Sequence, residues 1–443
     1  MNTCQFYEPY AIIRTLTIIQ ERLKGNLGME KTDQQIYEEF ASQLCQWGEN
    51  GTAPVTGNQD ISYGLELQEK RLQKHHTKME FRLTKRQVRQ GTAATAVFSD
   101  TRYTNKLVWN AFHRETDYYR DGKKCLTVGD DEQLYTVITW LNNQEDIQTS
   151  YVCPNCGAIS AVGVLLEGCP YCHTRFFMSD LFPKVTNYYF LPDYGMGEQE
   201  ARNRVGKWMA AGGAISFLLR LPGLVLDMIH GENLFLLLIA LVFTVGVGAV
   251  FGYFALSIRL LVRVFGGAFK MAPRAAGQIS AKKRLTDFMK QFDPGFTFEY
   301  FFGKVQGLLK ILIFTDDRSR LAVYDGPEFD GSGLDNIVDA QFDGAVSLNG
   351  SRIEGEYCHL DLNVYMTDVY CQGGGLKRTS DCFQVGLCRN ISRPQDYGFS
   401  VKKVSCRNCG ASFDATKERF CPFCRTRYEL REDDWVITFI RKR

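Results

Sequence analysis

The 443-residue chain has no dominant charge: 52 lysines and arginines stand against 50 aspartates and glutamates, a net +2. That balance gives the chain as a whole no field for nucleic acid, so any attraction to anions has to be local. Its start, MNTCQFYEPYAIIRTLTIIQ, lacks a basic region followed by an apolar core and a small-residue cleavage site, so no secretory signal is expected. It lacks the cysteine density of a small secreted disulfide scaffold, with 15 cysteines in 443 residues. It also lacks HExxH, GxSxG and a phosphate-cradling glycine loop, which leaves no catalytic signature to follow. The length allows two or three domains, each with its own core.

Eight of the cysteines form two modules, CPNCGAISAVGVLLEGCPYC from Cys153 and CRNCGASFDATKERFCPFC from Cys406. Each repeats Cys-x2-Cys, which sets Cys153, Cys156, Cys169 and Cys172 in one group and Cys406, Cys409, Cys421 and Cys424 in the other. CxxC pairs in a large chain without a secretory signal read as metal sites, which need reduced thiols. Four thiolates suit a tetrahedral ion and zinc fits best; a closed four-cysteine site is structural, because catalytic zinc keeps an open position. Two zinc ribbons are therefore expected, each folded by its metal, since about twenty residues bury too little to hold themselves together. Gly157 and Gly410 supply the positive φ of the knuckle turn, and Pro154, Pro170 and Pro422 pre-set its start. A thioredoxin-like redox pair would use one CxxC at a helix start, not two facing pairs. His173, beside Cys172, reads as a surface residue. Between the pairs, AISAVGVLLEG is uncharged but for one glutamate, and ASFDATKERF balances two basic against two acidic residues. Both are poor surfaces for phosphate, so packing or protein contact is the preferred role of the ribbons.

Between the modules, Leu234 to Ile258 runs 25 residues without a formal charge, enough to cross about 30 Å of hydrocarbon. The preceding WMAAGGAISFLLRLPGLVLDM, from Trp208, is interrupted by Arg220 and Asp227 and fits either a second span or an interfacial helix. The flanks favour a hairpin. Arg202, Arg204 and Lys207 precede the first segment; Arg259, Arg263, Lys270, Arg274, Lys282, Lys283 and Arg284 follow the second; the connecting DMIHGEN has no Lys or Arg. The positive-inside rule then places both flanks in the cytoplasm, and both cysteine modules stay in a reducing fluid. The small-xxx-small pairs Gly248–Gly252 and Gly212–Ser216 are predicted to meet across this hairpin.

The flanking sequence has helix-then-strand order twice. Ile12, Ile13, Leu16 and Ile19, then Ile36, Phe40 and Leu44, have helical spacing with a break at Gly25–Gly28. A basic run, KRLQKHHTKMEFRLTKRQVR from Lys70, carries eight Lys/Arg up to Arg89 and reads as a solvated face or a lipid-facing one. Strands follow at TAVFS, NKLVWNAFH and, after the turn DGKK, KCLTV. In the second half, LTDFMKQF and FTFEYFFGKVQGLLKILIF predict two helices parted by DPG, and IVDAQF, YCHLDLNVYMTDVY and DCFQVGLC predict strands. The expected units are an N-terminal α+β domain (1–150), a zinc ribbon (151–178), a linker (179–206), a transmembrane helical hairpin (207–262), a second α+β domain (276–404), a second ribbon (405–428) and a C-terminal tail (429–443).

FDPGFTFEYFFGKV from Phe292, a helix opened by Asp-Pro, and CRNCGASFDATKERFCPFC with DDWVI close behind at Asp433 resemble bacterial membrane proteins that combine Tim44-like domains with zinc ribbons. The resemblance covers most of residues 276–443; the N-terminal half matches it in the order of elements. It implies a cone-shaped α+β fold with an apolar cavity for lipid or a partner segment, and it supplies no catalytic motif. The fold class expected is α+β: two NTF2/Tim44-like cones, each followed by a zinc ribbon, joined through the hairpin. The expected function is a membrane-anchored, cytoplasm-facing zinc-binding scaffold or ligand-binding protein, multi-pass in the cell membrane with both termini cytoplasmic. The alternative is a membrane-tethered zinc-ribbon protein that contacts nucleic acid. Two structural zinc ions are the expected cofactors. The expected partners are the bilayer and a protein or lipid ligand; nucleic acid is not expected. In YCHLDLNVYM, alternation puts Tyr357, His359, Asp361, Asn363 and Tyr365 on one strand face. His359 beside Asp361 would serve an enzyme as base and orienting carboxylate, but a polar outer face is the preferred reading and no enzyme is expected.

Overall fold

Two sheets of the same topology organise the chain, in a computed structural model that describes residues 31–86, 96–99, 102–142, 147–193, 198–231, 233–318, 321–328, 330–393, 395–396 and 399–443. The expected helix carrying Ile12 to Ile19, and Arg89 at the end of the basic run, lie outside the described residues.

In the N-terminal half, α1 (Asp33–Asn50) opens with a reciprocal cap: the Thr32 hydroxyl accepts from the Gln35 N–H and the Gln35 side chain accepts from the Thr32 N–H. Gly51, at φ 75°, ends it. Ile36, Phe40 and Leu44 are buried, as their spacing predicts, and Trp47 is buried with them. Then come α2 (Gln59–Lys74), β1 (Thr77–Lys85), β2 (Ala96–Ser99), β3 (Tyr103–Arg120) and β4 (Lys123–Leu141). The predicted turn between β3 and β4 falls at Asp121–Gly122, both at positive φ (49° and 74°), a pairing that suits the right-handed twist of the strands. The first cysteine module follows, with β5 (Ser150–Val152), β6 (Ile159–Ala161) and the short helices α3 (Val162–Glu167) and α4 (Met178–Leu181). After it, β7 (Lys184–Pro192) pairs antiparallel with β4, giving the order β1-β3-β4-β7 with β2 on β3.

Two long helices, α5 (Glu198–Ile229) and α6 (Leu234–Met289), lead to the C-terminal half. There α7 (Phe298–Phe314) packs on a meander of β8 (Ile337–Glu354), β9 (Tyr357–Gln372) and β10 (Gly375–Asn390). The second module holds β11 (Val404–Ser405) and β12 (Ser412–Phe413), and β13 (Val436–Lys442) then pairs with β10. The order is β13-β10-β9-β8. Each half is thus a three-stranded meander, a cysteine module, and a strand that returns to pair with the third.

Three expectations are corrected by this arrangement. The stretch read as a linker (179–206) contains β7, and the stretch read as a tail (429–443) contains β13, with Trp435, Val436 and Ile437 buried. Both strands carry enough apolar side chains to complete a core that the meander leaves open. LTDFMKQF is not a separate helix: it begins as the last turns of α6, whose Leu285 and Met289 enter the C-terminal core.

The two halves share a buried polar junction. Arg71, the second residue of the basic run, has a fully enclosed side chain. Its guanidinium donates to the carbonyls of Leu334 (2.9 Å), Asp335 (2.8 Å) and Ile313 (3.3 Å), and to Asp316 Oδ1 (3.1 Å). Burial lowers its pKa, because the charged form loses water. Asp339 of β8 accepts from Tyr118 Oη (2.7 Å), Gln68 Nε2 (2.8 Å) and Gln341 Nε2 (2.6 Å), so two residues of the N-terminal half end on one carboxylate of the other. Gly303 of α7 lies where a Cβ would collide with the Asn187 side chain, and Asn187 Nδ2 donates to the Tyr300 carbonyl at 3.0 Å. Glycine is needed there for α7 to approach β7.

Candidate metal centres

In both modules the first pair of cysteines flanks a tight turn. The N–H of Gly157 donates to the Cys153 carbonyl (2.9 Å) and that of Gly410 to the Cys406 carbonyl (2.8 Å), with φ at 77° and 72°. These are the two glycines the sequence picks out. The second pair makes the same turn without glycine: His173 and Arg425 hold φ at 58° and 62°, and their N–H groups donate to Cys169 and Cys421. His173 is exposed, in line with the surface role read for it.

The turns gather the sulfurs. Each group of four has all its Sγ atoms within 4.8 Å of one another, and the first and third cysteines are buried while the second is exposed. Cys153 and Cys172 lie 3.7 Å apart, as do Cys156 and Cys169; Cys406 and Cys424 are at 3.4 Å, Cys409 and Cys421 at 3.7 Å. A tetrahedron with bonds of about 2.3 Å has edges of about 3.8 Å, so the four sulfurs of each module could hold a metal ion and suit zinc. All eight candidate ligands are therefore brought together in the two predicted groups.

Two threonines missed by the sequence reading tune the thiols. The Thr174 hydroxyl lies 3.4 Å from Cys172 Sγ, and the Thr426 hydroxyl 3.3 Å from Cys424 Sγ. With the threonine N–H groups they bring each of these thiols down to about 5, which favours the thiolate a metal needs. Burial pushes Cys153 the other way, up to about 12. Asn155 Nδ2 donates to Thr174 Oγ1 (2.8 Å), tying the two knuckles together. The signal was in the sequence: Cys-x-Asn-Cys-Gly-Ala opens both modules, and CPYCHTR and CPFCRTR close them.

Between the modules, α5 and α6 pack antiparallel along the predicted small-residue seam. A Cβ at Gly212 would strike the Gly248 carbonyl, one at Gly248 the Ser216 hydroxyl, and one at Gly252 the Trp208 carbonyl. Val205–Ile229 and Leu234–Ile258, 25 residues each, are long and apolar enough to cross a membrane, and their outer faces are exposed, Leu219 to 78% and Phe243 to 72%. The two charges that interrupt the first segment pair with each other, Arg220 Nη2 donating to Asp227 Oδ2 at 2.8 Å across Gly223. The side chains of Arg202, Arg204, Arg259, Arg263, Lys270 and Arg274 lie outside the described residues.

The His359–Asp361 pair does not assemble. His359 Nε2 faces Glu354 (3.6 Å) and the buried Cys388 Sγ (3.9 Å), whereas Asp361 accepts from Asn349 and Gln384. A cavity of about 30 Å³ at the junction of the halves is lined by Trp47, Gln306, Lys310 and Asp339, with neither of that pair in its wall. Compared with family models, with curated proteins and with solved structures, the chain matches none. The site itself defines the class: a mixed α+β protein with two four-cysteine groups fit for metal ions and two helices apolar enough to span a membrane.

Proposed function

We propose that this protein is a membrane-anchored, cytoplasm-facing zinc-binding scaffold, in which two Tim44-like α+β units, each carrying a zinc ribbon, bind a protein or lipid ligand at the bilayer. The observation that carries this reading is the seam of Gly212, Ser216, Gly248 and Gly252. It folds two exposed apolar helices into one antiparallel hairpin, so a chain leaving through the first returns through the second. The packing of the two halves against each other through Arg71 and Asp339 supports a common side for both cysteine groups. Lys207 before the hairpin, and Lys282, Lys283 and Arg284 after it, against a connection without Lys or Arg, support a cytoplasmic assignment for that side. Helices packed on an antiparallel sheet, of five strands in the first half and four in the second, support the Tim44-like layout. A binding role is preferred to catalysis because His359 and Asp361 each have other partners.

Protease protection in sealed cells tests the topology. Both halves are expected to be shielded until the membrane is breached, with an epitope inserted at Gly231 accessible from outside. Cleavage of either half from outside contradicts the reading.

A further inference from the structure

We infer that α6 is the interface of a parallel homodimer, in which two copies of this chain close a heptad seam that starts inside the bilayer and continues into the helix beyond it. The inference rests on the membrane reading above and adds a partner, a second copy of the chain, to it.

One unbroken helix, α6, runs from Leu234 to Met289, and its small-residue face is taken by α5. A second face has no partner within the hairpin. Val247, Phe251, Phe254 and Ile258 follow alternate steps of four and three and are 38%, 69%, 55% and 61% exposed. Val247, Phe251 and Phe254 line an apolar groove of about 550 Å³, shared with Phe243, Gly246 and Val250. At Gly246 a Cβ would meet nothing, so the groove is open to an incoming side chain.

Lipid can cover that groove, but the pattern does not stop at the membrane. Leu261, Phe265, Ala268 and Ala272 continue the same steps past Arg259, where the apolar span has ended. A sustained apolar step averaging about 3.5 residues is the mark of a supercoiled helix pair. The partner of that pair is not α5, which accompanies α6 only part of the way. Gly212 lies against Gly252, so Glu198, where α5 starts, falls level with about residue 266. Gly266 and Gly267 each disfavour helix by about 1 kcal/mol against alanine, so a helix that runs on through them calls for packing support.

Direction and charge select a second copy as the occupant. Copies inserted in one bilayer with one topology are parallel, so the seam of one meets the seam of the other at the same height. The cations are placed to allow it: Arg259, Arg263 and Lys270 fall on the opposite side of the helix, at the outer positions of the heptad. In a closed pair they stand on the two far sides, about 20 Å apart across two helix widths and beyond a Debye length of about 8 Å. The seam ends at Ala272, before Pro273, and Arg274, Lys282, Lys283 and Arg284 come after it.

The test uses the full chain in phosphatidylcholine vesicles, isotope-labelled and unlabelled copies mixed, with the photocrosslinker p-benzoylphenylalanine introduced at one position at a time. Adducts between labelled and unlabelled copies are expected at Phe251, Phe254, Leu261 and Phe265. Several-fold fewer are expected at Arg263 and Lys270 on the far side of α6, and at Leu219 of α5, 78% exposed, which measures chance collision. Phe265→Gln, outside the span, is expected to cut the Phe254 adduct about fivefold, and Arg263→Gln to leave it unchanged, with zinc content reporting that the two halves stay folded. Lipid adducts at Phe254 without copy-to-copy adducts overturn the proposal and leave the membrane reading standing. Neither kind of adduct, with the chain recovered from the aqueous phase, overturns both. Equal yields on all sides of α6, or no response to Phe265→Gln, also overturn the proposal.

Discussion

Around Cys153 the module packs on a small core of its own, with Tyr103, Val162, Leu165, Leu181 and Phe182. Around Cys406 the same knuckles are part of the large C-terminal core, through Cys406, Phe413, Ala415, Cys421 and Tyr428. The chain between the knuckles explains the difference. In the first module it is apolar and folds back as α3 onto its own cysteines; in the second it is mostly polar, and Phe413 and Ala415 are buried in the large C-terminal core, Phe413 edge-on to Tyr428. A repeated metal site can therefore be a local staple in one half and a keystone in the other.

The largest effect that would test this contrast comes from the metal ligands. Cys421→Ser is expected to lose its ion and unfold the C-terminal half with it, since a zinc site of this kind contributes on the order of 10 kcal/mol. Cys169→Ser is expected to release only the first module and loosen β7, because Ile36, Phe40, Leu44 and Phe81 form a separate core. Hydrogen exchange on β8–β10 and on β1–β3 distinguishes the two; equal losses would end the contrast. Next is the junction. Arg71→Met strips three carbonyls and Asp316 of their donor and is expected to cost about 3–5 kcal/mol in denaturant titration, the scale of a broken buried pair. A cost near zero would mean the halves do not depend on each other.

A pH effect belongs to the C-terminal half. Burial, with Asp381 alongside, raises the Asp368 carboxyl to about 9. The folded state thus keeps a proton that the unfolded chain releases above its ordinary 3.8. This stabilisation is complete below that value and is lost as pH rises towards 9, with a slope of up to about 1.4 kcal/mol per pH unit. Asp368→Asn is expected to flatten the stability curve from pH 5 to 8; an unchanged slope would assign the titration elsewhere. The smallest effect is in the hairpin. Gly248→Leu is expected to part α5 from α6 at about 1–3 kcal/mol, whereas Gly246→Leu, where a Cβ meets nothing, leaves the pair intact. Disulfide trapping between the helices in detergent reads both, and equal behaviour would deny the seam.

The eight cysteines and the small-residue seam were legible because chelation and close helix approach each fix a spacing along the chain. The β3–β4 turn was legible in DGKK for the same local reason. What escaped was long-range. Arg71 looks like one more cation in a basic run, and only carbonyls 242 and 263 residues away turn it inward. KVTNYYFLP and VITFIRK follow metal modules, where a linker or a tail is the simpler reading, and their role appears only once β4 and β10 offer an open edge. The continuity of α6 was hidden because its apolar pattern stops at Ile258 while its hydrogen bonding runs on to Met289.

Elemental analysis of the full chain, purified with reduced thiols, tests the central claim most directly. The account predicts two zinc ions per chain, and one in each of Cys169→Ser and Cys421→Ser. A chain that is fully folded with none, or with its knuckle sulfurs oxidised in pairs, would contradict it.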